Sequence, residues 1–176
     1  MELRRAHYGE ADPRLPWSFT WLGELSFREG YLEEARWLLQ QAHQVACKRF
    51  GPDDLQFAVT LHNLAVIARQ SGDYAEATSL GEQALGIKVE RLGWDHPSVA
   101  QTLCTLGTLA RLCKQRKVAL CYFERARRIY ESTEGGVTPG LATVLVGMAR
   151  VHVSLGAKVS ARFLLAGSPP YTGACC

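Results

Sequence analysis

The sequence predicts an all-α fold: a right-handed α-solenoid of antiparallel helix pairs, about four units long, with the last unit truncated. Three observations lead there. A shift of 42 positions lays the 176-residue chain over itself, so that Ala35, Ala77, Ala119 and Ala161 align. The same shift aligns Gly30, Gly72, Lys114 and Gly156, and separately Leu22, Leu64, Leu106 and Met148. Within a unit the apolar residues keep helical spacing, as in Ala58, Leu61, Leu64, Ala65 and Ala68. An ordinary helical bundle does not explain a fixed register. Units that bury their apolar faces only against their neighbours do.

The units fall at about 15–52, 53–94, 95–136 and 137–168, after an N-terminal segment 1–14 and before a disordered tail 169–176. Each opens with a first helix whose core positions are Phe19, Leu61, Leu103 and Leu145. A glycine supplies the positive φ that ends this helix in a tight turn, and Lys114, standing in that column, predicts a looser turn. Asp73 is placed to cap the second helix, which carries Ala77, Leu80, Ala84, Leu85 and Ile87 inward. Gly93 closes it, and Asp95 with Pro97 is expected to open the next first helix. Gly23, Ala65, Gly107 and Ala149 face the alanine column, which lets the paired helices approach closely.

A period near 42 also suits HEAT and armadillo repeats. The order Leu61, Leu64–Ala65, Ala77, Ala84 decides for the tetratricopeptide type, with the extra residues lying between Ala84 and Leu103. The stretches Thr60–Ala77 and Glu82–Leu103 contain Leu-x-Asn-Leu-Ala, Gly-Asp-Tyr-x-Glu-Ala and Gly-x-Asp-His-Pro. In these the chain resembles the repeats of kinesin light chains and nephrocystin-like proteins, best over residues 55–103 and more loosely over 15–54 and 104–166.

The resemblance implies a protein-binding adaptor or scaffold. A cytoplasmic place is expected because the sequence shows no secretory signal and no apolar run of membrane-spanning length. In that family the concave face, lined by first helices, holds extended peptides. An asparagine there bonds the peptide backbone, and basic residues meet acidic side chains. Here the asparagine is Asn63, and its counterparts one period apart are Trp21, Thr105 and Gly147. On a helical wheel, positions 59, 63, 66, 67 and 70 fall on the side away from Leu61 and Ala65. Arg69 and Arg111 lie one period apart at the edge of this face, Arg28 lies near its start, and Arg150 takes the place of Val66. The expected peptide contacts are therefore Trp21, Arg28, Asn63, Arg69, Gln70, Thr105, Arg111 and Arg150, toward a partner with acidic segments.

Other classes find little support. A net charge of +3 is too small to imply nucleic acid or an anionic membrane. The basic run from Arg111 to Arg128 lacks available aromatics for base stacking, because Tyr122 and Phe123 occupy core columns. No apolar stretch is long enough to cross a membrane. Neither the cysteine nor the histidine spacing suits zinc, and no cofactor is implied. Cys104, Cys113 and Cys121 are expected to be buried thiols. His43, His62, His96 and His152 are far apart or on different helix faces, so no enzyme is expected.

The ends set further expectations. About a dozen residues, Pro13 and Pro16 among them, are expected to precede the first helix, so attachment to a motor through a preceding coiled coil is not expected. Gly167-Ser168-Pro169-Pro170 stops the last helix early, as in part of a longer array, and the ending Cys175-Cys176 reads as an incidental tail. Val144, Leu145, Val151 and Leu155 with Phe163, Leu164 and Leu165 would then form an apolar edge open to self-association over residues 141–166.

Overall fold

A computed structural model of the chain describes residues 14–134 and 138–154. Among the described residues there are seven α-helices and no strand. The chain forms two compact units, Met1–Ile87 and Lys88–Cys176. The first contains α1 (Leu15–Glu29), α2 (Leu32–Phe50) and α3 (Leu55–Gln70), and most of α4 (Tyr74–Leu92). The second holds the end of α4, then α5 (Pro97–Leu112), α6 (Arg116–Glu134) and α7 (Pro139–Ser154). The odd-numbered helices are the four expected first helices, and α2, α4 and α6 are second helices. The fourth second helix, the Gly156 turn, Ala161 and residues 169–176 lie outside the described residues.

Each helix pair is closed by its column residues. In the first unit Leu15 and Phe19 of α1 pack with Leu38 and Ala42 of α2. Ala46, Phe57, Leu61 and Ala84 form a second cluster, with Leu80 and Ile87 against it. A third joins Ala35 and Leu39 of α2 to Ile67 of α3, with Phe27 and Leu64 packed on it. Each fully buried leucine or isoleucine contributes about 1.5–3 kcal/mol of transfer free energy.

The small residues act as expected. A methyl group added at Gly23 would stand 2.8 Å from Leu39 Cγ and 3.4 Å from the Ala35 carbonyl oxygen, so α1 can approach α2 only with glycine there. In the second unit Phe123 is fully buried, and a methyl group at Gly107 or Gly147 would meet its ring at 3.0 Å or 2.6 Å.

The first-helix turns share one hydrogen-bond pattern, and here one expectation is corrected. After α1, Gly30 N donates to Phe27 O and Tyr31 N to Ser26 O. After α3, Gly72 N donates to Arg69 O and Asp73 N to Ala68 O. After α5, Lys114 N donates to Arg111 O at 3.0 Å and Gln115 N to Ala110 O at 2.8 Å. Lys114 itself adopts φ 62°, against 90° and 85° for Gly30 and Gly72. Its turn is as tight as theirs, because the doubly bonded helix end enforces the left-handed conformation whatever the side chain.

A second correction concerns the cap of α5. His96, not Asp95, is the capping residue: its Nδ1 accepts from Ser98 N at 3.0 Å. One period earlier Asp54 Oδ1 accepts from Gln56 N at 2.7 Å, and one period later Thr138 Oγ1 accepts from Leu141 N at 3.2 Å. The column thus requires an acceptor, and Asp95 stands one residue too early to be it. Asp73 caps α4 as expected, accepting from Glu76 N.

Two burial expectations also change. Cys104 is buried, but Cys113 and Cys121 are exposed, at the end of α5 and on the outer side of α6. Val144 and Val151 are fully buried, so the apolar surface of α7 is made instead by Val146 and Val153. Leu155 and Phe163–Leu165 lie outside the described residues.

Candidate functional site

Successive first helices α1 and α3 lie side by side, both packed on α2. Between them is a recess of ≈170 Å³ lined by Gly23, Glu24, Phe27, Arg28, Leu39, Asn63, Val66 and Ile67. The missing side chain of Gly23 leaves Leu39 at its base, and Phe27, Val66 and Ile67 make it mainly apolar. Glu24, Arg28 and Asn63 supply the polar groups. Asn63 Nδ2 donates to Glu24 Oε1 at 2.8 Å, which fixes the amide across the two helices. The amide oxygen is left to accept from a ligand.

On α1 Trp17 and Trp21 stand one turn apart, and both are exposed. Trp21 is 64% exposed, the largest value for a large apolar side chain among the described residues. Arg28, about two turns beyond Trp21, is exposed, as is Gln70 at the end of α3. Arg69 is half-buried. Of the expected contacts, Arg28 and Asn63 line the recess, and Trp21 is exposed elsewhere on α1.

Ile67 is a correction. The wheel placed it on the open face, but it is buried on Ala35 and Leu39, because α2 reaches further round α3 than a single-helix projection allows.

In the second unit the equivalent positions do something else. Thr105 is buried, with its hydroxyl donating to Gln101 O. This corrects its assignment as a peptide contact. Gly147, one period on, lies under the Phe123 ring. Phe123 replaces Leu39 two periods later, and its larger ring fills the space that remains open beside Leu39. Arg111 is half-buried and Arg150 exposed. Val66 lies on the face the wheel indicated, whereas Glu24 and Phe27 were not among the expected contacts. Their signal was Gly23 opposite Leu39, a small residue facing one too short to fill the gap.

The charged and ionisable groups elsewhere are used structurally. Arg127 bonds Glu124 through Nε and Nη2 and reaches Glu131 Oε1 at 2.9 Å. Burial raises the Glu124 pKa, but the hydrogen bond and charge of Arg127, with Arg128, outweigh it and hold the carboxyl below its usual value. Arg125 lies 3.7 Å over the Trp94 ring, and Arg116 Nε donates to Ser154 Oγ. The basic run is therefore largely engaged within the protein.

The histidines have local roles as well. His43 stacks on Phe57 and lies 3.2 Å from Thr60 Oγ1, and burial lowers its pKa. His62 is buried and His96 caps α5. Among the described residues no group of three or more His, Cys, Asp or Glu side chains could hold a metal ion. Among them, too, no helix is long and apolar enough to cross a membrane.

Repeated helix pairs with this turn, cap and small-residue register define a tetratricopeptide repeat protein. The tetratricopeptide repeat family model matches residues 15–90 and 57–132, and the chain belongs to that family. Members of the family generally mediate protein–protein interaction. No curated protein matches the chain.

Among solved structures, BtubC (BKLC) from P. vanneervenii is similar at TM-score 0.79 and 21% identity, covering 99% of this chain and 74% of that one. A kinesin light chain candidate from Podosopora anserina, built of nearly identical TPR-like repeats, is similar at TM-score 0.72 and 22% identity. That likeness covers 94% of this chain and 78% of the other. A single-substitution form of the same protein gives 0.74 at the same identity and coverage. These likenesses show the fold.

Proposed function

We propose that this chain is a non-enzymatic adaptor or scaffold module of the cytoplasm whose first unit binds an extended segment of a partner protein. The observation that supports this best is the recess between α1 and α3, apolar at its base and bordered by a hydrogen-bonded Asn63–Glu24 pair. An apolar partner side chain fills the recess, the Asn63 amide oxygen accepts a partner backbone N–H, and Trp17 and Trp21 cover the flanking residues. Arg28 meets an acidic residue of the partner. Arg69, Gln70, Arg111 and Arg150 are candidate contacts for acidic flanks, and Thr105 is not among them.

The test is an array of extended acidic peptides, each with and without a central apolar residue, probed with the full chain. Asn63→Ala is expected to weaken the retained peptides by roughly 0.5–1.5 kcal/mol, one net hydrogen bond. Arg28→Ala should reduce the fall of affinity with added salt. Binding that tolerates Asn63→Ala, Trp21→Ala and salt alike places the ligand elsewhere and refutes the assignment.

A further inference from the structure

A different face of α1 points to a second interaction. Leu22 and Leu25 stand one period before Leu64 and Ile67 of α3. In α3 those positions are covered by Ala35 and Leu39 of the preceding helix α2, and Ile67 is 1% exposed. Leu109, the next residue of that column, is also 1% exposed. In α1 the same positions are open: Leu22 is 36% and Leu25 49% exposed.

The charges around this face repeat the logic. Where α2 covers α3, Arg36 Nη2 donates to Ser71 Oγ at 3.0 Å and Nη1 lies 3.5 Å from Glu76 Oε2. One period before Ser71 and Glu76 stand Glu29 and Glu34, both exposed. A helix laid on α1 as α2 lies on α3 would bring its counterpart of Arg36 to two carboxylates instead of one. The face is thus better matched to a basic residue than the internal interface it resembles.

We propose that the Leu22–Leu25 face, with Glu29 and Glu34, docks an amphipathic helix of a partner protein. That helix carries a small residue, a basic residue directly after it, and a leucine four positions after the small one. This is the pattern Ala35-Arg36-x-x-Leu39 that α2 offers to α3. The small residue lets the helices approach, the leucine covers Leu25, and the basic residue bridges Glu29 and Glu34. The face is separate from the recess, so the two interactions fail independently.

The probe is a labelled peptide of residues 31–51, stapled between the exposed positions Gln40 and Gln44 to hold it helical. Its fluorescence anisotropy is followed against the full chain. Saturable binding is expected, weakened about tenfold or more by Glu29→Lys with Glu34→Lys and by Leu25→Glu. The same probe carrying Arg36→Glu should bind the parent poorly and regain affinity for the Glu29→Lys, Glu34→Lys chain, a rescue that misfolding cannot mimic. Asn63→Ala should leave this binding unchanged. Absence of binding, or binding indifferent to all these changes, overturns the proposal. So does a chain that dimerises alone and becomes monomeric with Leu25→Glu, since a second copy would then be the occupant.

Discussion

At the scale of single residues, Lys114 shows how a repeat tolerates a departure from its own pattern. Its φ of 62° lies in the left-handed region that a Cβ makes unfavourable by roughly 1–2 kcal/mol. Two turn hydrogen bonds, to Arg111 O and Ala110 O, hold it there. Lysine also restricts the unfolded chain more than glycine does, which returns roughly 0.4–1 kcal/mol to the folded state. Lys114→Gly is therefore expected to stabilise the protein by up to about 1 kcal/mol. The measurement is the denaturant midpoint at unchanged slope, and a midpoint below the parent's would show that the lysine side chain contributes an interaction outweighing the backbone cost. The cap column gives a complementary lesson. Asp54, His96 and Thr138 differ in every respect except an acceptor atom at the right place, so the period identifies the capping residue where residue preference alone chose Asp95.

Between helices, packing is controlled by where a side chain is absent. Gly147 and Gly86 are both helical glycines, yet a methyl group at Gly147 would meet the Phe123 ring at 2.6 Å and one at Gly86 would meet nothing within 4 Å. Gly147→Ala is expected to destabilise by about 1–3 kcal/mol, because Phe123 is fully buried and has nowhere to move. Gly86→Ala should stabilise by about 0.5–1 kcal/mol through helix propensity alone. Equal effects in thermal unfolding would refute the assigned packing of α6 on α7. The contrast also marks how far the sequence could be read. The helices, their pairing and their turns were legible, because turn glycines and small residues recur in one register. Much of the site was not. Asn63 and Trp21 could be found by column, but the recess depends on the difference in volume between Leu39 and Phe123 on another helix. Thr105 and Ile67 were misplaced because a wheel drawn on one helix cannot show how far a neighbour wraps round it.

For the molecule as a whole, the sharpest handle is Lys88, a charged residue in a core column whose other members are Ala46 and Tyr130. It is 2% exposed, and Nζ donates to Thr102 Oγ1 at 3.0 Å and to Ser98 O at 3.4 Å. Both are neutral acceptors, so the ammonium is poorly compensated for its lost water, and burial pushes its pKa down from 10.5 to about 8. The consequence for folding follows from linkage. Below pH 8 the group is protonated in both folded and unfolded chains, and the full penalty of burying the charge weighs on the fold. As pH rises from about 8 to 10.5 the folded state releases its proton first, so the unfolded state binds more protons and stability rises. The gain is about 3 kcal/mol at most, at roughly 1.4 kcal/mol per pH unit. Other groups titrate in the same range, so the informative quantity is the difference between the parent and Lys88→Met. The methionine keeps the apolar stem and removes the charge, and Thr102 still donates to Ser98 O. At pH 7 the variant is expected to be more stable by about 1–3 kcal/mol, as when buried charges give way to apolar residues of similar volume. That advantage should shrink as pH approaches 10.5. Urea unfolding at about pH 7, 8.5 and 10 measures it, and an advantage that is absent or independent of pH would show that Lys88 is not held as a buried cation.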